Sequence, residues 1–107
     1  MSSFDEREKA FENKYARDEE LQFKVIARRN KLLGLWAAEQ LGKDDADAEA
    51  YAKEVVVADF DEPGDDDVKR KVLADLQAAG IEISGEEVRA EMNRLLAVAK
   101  QQLMDAV

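Results

Sequence analysis

Carboxylates are the groups in this chain best supplied for chemistry, and they crowd its middle. Between Asp44 and Asp67 eleven acids face the single basic Lys53, a local balance of -10. Asp45-x-Asp47-x-Glu49 matches the early ligands of a calcium loop. The match then fails, because Ala50 stands where the sharp turn needs glycine and Val56 where a bidentate glutamate closes the shell. Asp65, Asp66 and Asp67 are three adjacent carboxylates that one helix turn aims in different directions, which suits helix capping better than magnesium. Asp59 and Asp61 are close enough in sequence for acid–base work, yet no nucleophile or polar pocket accompanies them. The chain has no cysteine and no histidine, so thiolate chemistry is excluded and the commonest general base and metal ligand are missing. No catalytic constellation, metal site or cofactor is implied.

The opposite charge lies just upstream. From Gln22 to Ala38 no acid occurs, while Lys24, Arg28, Arg29 and Lys31 give +4. These four are candidates for a weak contact with an adenine nucleotide, with Gly34 allowing close backbone approach. No glycine-rich phosphate loop supports them. The net charge of -9 opposes general nucleic-acid binding, which needs a basic face.

The elements that must position these groups are helical. One proline, five glycines and almost no apolar alternation leave strands little support. A chain of 107 residues fits one small domain. The expected fold is all-α, a four-helix bundle over residues 19–107 with a mobile or conditionally helical N-terminal arm over 1–18. The first bundle helix is expected at about 19–41, with an apolar face of Val25, Leu32, Leu35, Trp36 and Ala38 widened by Leu21, Ile26 and Leu33, and with Gly42 as its stop. The second, at about 45–59, has Asp44 or Asp45 to cap it and Tyr51, Ala52, Val55 and Ala58 facing inward. Val55-Val56-Val57 makes a short strand the alternative there. Glu62-Pro63-Gly64-Asp65 breaks the chain before a third helix at about 65–79, built on Val68, Val72, Leu76 and Ala79 and closed by Gly80. The fourth, at about 85–105, opens with a Ser84…Glu87 capping box and buries Val88, Met92, Leu95, Ala99 and Leu103.

The arm has a different character. Phe4, Phe11 and Tyr15 are spaced by seven and four, so a helix puts all three rings on one face of a charged background. Burying three rings is worth roughly 5–9 kcal/mol, against a backbone cost of about 1–2 kcal/mol per residue ordered. Such a segment folds marginally unless it docks, which is the profile of a helix-in-groove ligand. Folding back of the three rings on the bundle is the alternative. Nothing at the Asp18–Glu19 junction reads as a helix breaker, so arm and first helix are expected to be able to join as one rod when a partner is present. No apolar run is long enough to span a bilayer and no secretory signal pattern opens the chain, which gives the expectation of a soluble, cytoplasmic protein.

Long blocks of the sequence carry a resemblance. They are Phe4-Asp5-x-Arg7-Glu8-x-Ala10-Phe11-Glu12, Glu19 to Phe23, Arg28-Arg29-Asn30-Lys31-Leu32-Leu33-Gly34-Leu35-Trp36-Ala37-Ala38-Glu39, and Tyr51-Ala52-Lys53-Glu54-Val55-Val56-Val57-Ala58-Asp59-Phe60. Over nearly its whole length the chain resembles the zeta subunit family of alphaproteobacterial F-type ATP synthases. The resemblance implies a four-helix protein that is not an enzyme, whose N-terminal segment blocks ATP hydrolysis by entering an interface between alpha and beta subunits beside the gamma shaft. It implies a cytoplasmic protein, peripheral on the membrane-attached synthase. On this reading Phe4, Arg7, Glu8, Phe11, Lys14, Tyr15 and Arg17 form the partner-binding face of the arm. A nucleotide-responsive regulator acting through Lys24, Arg28, Arg29 and Lys31 is the alternative function.

Overall fold

The computed structural model describes residues 3–59 and 65–106, with the side chains of Ser3 and Phe4 outside the described part. The described residues form five helices and no strand: α1 (Ser3–Arg17), α2 (Glu19–Gln40), α3 (Asp45–Ala58), α4 (Asp66–Ala78) and α5 (Gly85–Asp105). α2 is the centre of the assembly and packs against all four others. Its buried residues fall on two adjacent stripes of spacing four, Val25-Arg29-Leu33-Ala37 and Asn30-Gly34-Ala38. Leu32, Leu35 and Trp36, expected on the inner face, are only half-buried, because this double stripe is centred one position away.

The second stripe is made of small residues, and α3 lies close against it. A Cβ built on Gly34 would come within 2.6 Å of the Ala52 Cα. The close approach that this glycine allows is that of the α3 backbone. Val55, Val56 and Val57 continue α3 and form no strand. Residues 60–64, which include Asp61 and the expected Pro-Gly break, lie outside the described residues.

α4 buries Val68, Val72 and Leu76 but leaves the expected Ala79 exposed, and α5 buries Val88, Met92, Leu95 and Ala99 along its inner face, with Met104 buried in place of the expected Leu103. Together with Leu33, Ala37, Ala38, Tyr51 and Val55, residues of both helices form the main core. α2 and α4 end alike. The N–H of Lys43 donates to the carbonyl of Ala38 and that of Ile81 to Leu76, each around a glycine of positive φ, Gly42 at 77° and Gly80 at 83°.

The caps differ from one helix to the next. Ser84 Oγ accepts from the Glu87 N–H at 3.1 Å and donates to its carboxylate at 3.3 Å, so the serine half of the expected capping box forms and the Glu87 carboxylate is taken by the hydroxyl. Asp44 stands at the N-cap of α3 with no side-chain cap bond, and Asp45 lies inside the helix at φ 45°. Capping of α3 by either carboxylate is therefore corrected. Asp65, at the N-cap of α4, makes no cap bond either, since its carboxylate is used elsewhere.

A further correction concerns the reading that no residue breaks the helix where α1 meets α2. Asp18 is extended (φ -107°, ψ 105°), and its carboxylate accepts from the Leu21 N–H at 3.2 Å. Asp18 thus caps α2 and ends α1. An N-cap aspartate followed by Glu19 and Glu20 in the first turn is the signal for this break.

Candidate functional site

α1 lies across one end of the bundle, against α2 and α5. Phe11 and Tyr15, one helical turn apart, are half-buried while most neighbours of α1 are exposed. Phe11 separates two clefts along the seam. One, of about 250 Å³, is lined by Arg7, Ala10, Lys14, Leu21 and Met104; the other is lined by Leu96, Lys100 and Met104 of α5.

Polar contacts frame the rings. Arg7 donates from Nη2 to the carbonyl of Met104 at 3.2 Å and lies 3.7 Å from the Asp105 carboxylate. Both side chains of that pair are more than half exposed, which makes it weak. Lys100 sits over the Tyr15 ring, its ammonium 4.3 Å from the centroid, and reaches Glu12 at 3.4 Å. Across the junction, Gln22 Nε2 donates to the Tyr15 carbonyl at 2.7 Å. Glu8, Lys14 and Arg17 of the expected partner face are exposed. The side chain of Phe4 lies outside the described residues.

The four basic residues of α2 do not converge on a ligand. Lys24 pairs with Glu20 at 3.3 Å, Arg28 donates to Gln102 at 2.8 Å, and Lys31 is exposed. Arg29 is only 2 % exposed. Its guanidinium donates to both oxygens of Asp65, at 2.8 and 3.4 Å, and its Nε to Asn30 at 2.8 Å. Arg89 of α5 joins from the other side, 3.6 Å from Asp65 and 3.1 Å from Asp66. The hydrogen bond and charge of Arg29 hold the Asp65 carboxyl below the usual carboxylate range. Burial pushes the nearby Asp59 carboxyl up, an effect that the charge of Arg29 opposes and Asp65 and Asp67 reinforce. This cluster fastens α2 and α5 to the start of α4, a role the sequence pattern did not expose. The signal was present in the spacing, since Arg29 sits midway between Val25 and Leu33 on a buried stripe.

A second polar cluster joins α3 to α4. Tyr51 donates its hydroxyl to Asp75 at 2.8 Å, and Lys71 lies 3.0 Å from Asp75 and 5.2 Å from the Tyr51 ring centre. Burial, then the bond to Asp75, raises the Tyr51 pKa and keeps the phenol protonated. No group of metal-ligating side chains occurs among the described residues, and none of their helices is long and apolar enough to cross a membrane.

The fold defines a class: a small all-helical protein whose short N-terminal amphipathic helix packs on the helices that follow it. Residues 1–102 match the ATPase inhibitor subunit zeta family, and the chain belongs to that family. It is a family of inhibitor subunits of an ATPase, and an inhibitor subunit is not itself an enzyme. A structure solved by solution NMR is 57% identical to this chain, with a TM-score of 0.72 over 81% of this chain and 99% of its own. No curated protein matches the chain.

Proposed function

We propose that the chain inhibits ATP hydrolysis by an F-type ATPase through α1, which enters an alpha/beta interface beside the gamma shaft. Family membership supports the inhibitory role, and the observation that carries the finer reading is the form of α1. It is a separate amphipathic helix with a narrow apolar stripe, joined to the bundle through the one non-helical residue Asp18. A helix of that kind offers Phe11 and Tyr15, with Phe4 in register, as anchors for a groove, and Arg7, Lys14 and Arg17 as partners for acids at its rim. Inserted at a catalytic interface, it stabilises one rotational state, and the rotor must break those contacts to advance. The bundle then acts as a stop on the outer surface of the catalytic head. The protein is peripheral to the membrane-attached enzyme, on the cytoplasmic side.

The test is inhibition of a purified ATPase lacking this subunit. The full chain should suppress hydrolysis, and a chain beginning at Glu19 should not. Equal inhibition by both would rule out α1 as the acting element. The nucleotide-responsive reading has less support, because Arg29 is committed to Asp65 within the fold.

A further inference from the structure

Phe11 and Tyr15, two of the rings that would face a partner, already face other helices of the same chain. Every ion pair or cation–ring contact described between α1 and α5 involves the last two turns of α5: Lys100 over Tyr15 and to Glu12, and Asp105 to Arg7. The Met104 carbonyl, in the same stretch, takes a hydrogen bond from Arg7. Phe11 lies between clefts that Met104 lines on both sides. Among the described residues, none of α1 belongs to the main core, which draws on α2 to α5.

We propose that the C-terminal turns of α5, from Lys100 to Asp105, form an autoinhibitory latch that holds α1 closed on the bundle, with Asp18 as the pivot. The proposal rests on the reading of α1 as the inhibitory element and adds its regulation. A single face of α1 carries Phe11 and Tyr15, so docking on α5 and docking in a partner groove exclude each other. Apparent affinity for the ATPase is the intrinsic affinity reduced by the fraction of molecules with α1 open. The latch contacts are partly solvated and each shifts that fraction only about two- to fivefold. They are strong enough to set a threshold and weak enough for a partner to displace.

Lys100→Gln combined with Asp105→Asn tests this, because it removes the charged side-chain contacts of the latch without changing a residue of α1 or of the main core. Two readouts are taken on the full-length protein: hydrogen exchange of the α1 amides, with the α5 amides near Val88 and Met92 as the control for folding, and inhibition of purified ATPase. The variant should exchange faster in α1 alone and inhibit at about tenfold lower concentration. A variant that inhibits where the natural chain does not supports the latch equally. Unchanged exchange in α1 overturns it, as does faster exchange with inhibition no stronger than that of an inhibiting natural chain; either result leaves the inhibitory role of α1 standing. Faster exchange with no inhibition by either protein overturns both the latch and the inhibitory reading.

Discussion

Asp65 receives the buried guanidinium of Arg29 through both carboxylate oxygens, across 36 residues of sequence. The pair ties α2 to the N-terminus of α4, and its energetics have a sign that acid can reveal. The Asp65 pKa is depressed by Arg29, so its contribution is present above the ordinary carboxylate value and lost as pH falls through the depressed one. Asp65→Asn should lower stability by about 1–2 kcal/mol at pH 7, a figure reduced for the solvent exposure of Asp65. In urea melts the gap to the natural chain should close as the solution is acidified below about pH 4.

Asp59 should behave in the opposite sense. Its pKa is raised by burial, so ionisation works against the fold, and the penalty disappears as pH falls below the raised value. Asp59→Asn should melt no lower than the natural protein at pH 7. A loss comparable to that of Asp65→Asn would show that Asp59 is a needed anion beside Arg29.

Gly34→Ala should cost about 1–3 kcal/mol. Its new methyl would meet backbone, the Ala52 Cα at 2.6 Å, and backbone cannot rotate away. Differential scanning calorimetry should show melting lowered by at least about 4 °C. An unchanged melting temperature would mean that α2 and α3 separate more easily than this packing implies.

Asp18→Ala should remove about 0.5–2 kcal/mol from the start of α2. Asp18→Asn, which keeps an acceptor for the Leu21 N–H, should lose much less. Amide exchange at Leu21 and Gln22 separates the two variants, and equal protection in both would show that the cap is dispensable.

The buried stripes of α4 and α5 are legible in the sequence, because spacings of three and four over Val68, Val72 and Leu76, and over Val88, Met92, Leu95 and Ala99, line one face of a helix and would scatter over both faces of a strand. The Ser84 cap is equally local, and its bond from the Glu87 N–H forms as the pattern requires, while the Glu87 carboxylate takes the serine hydroxyl instead of a backbone donor. What escaped depends on distant partners. Arg29 reads as a surface cation until Asp65 and Arg89 arrive from α4 and α5, and Asp65 reads as a cap until Arg29 claims it. Asp44 and Asp45 show the limit of cap signals, since an acid at the right position need not turn its oxygen inward. The seat of α1 was undecidable from its own residues, because a narrow aromatic stripe fits any apolar seam, including one made by the same chain.

The stacking of Lys100 on Tyr15 has a consequence for how this helix tolerates change. If one ring serves both the closed form and a partner, its replacement weakens two competing states at once, and the measured effect on inhibition is their difference. Enlarging or trimming Tyr15 would then alter potency less than it weakens either state alone. Substitutions on α5 are not cancelled in this way. Potency in related chains can therefore drift through residues that never touch the ATPase, while the aromatic stripe itself stays the same.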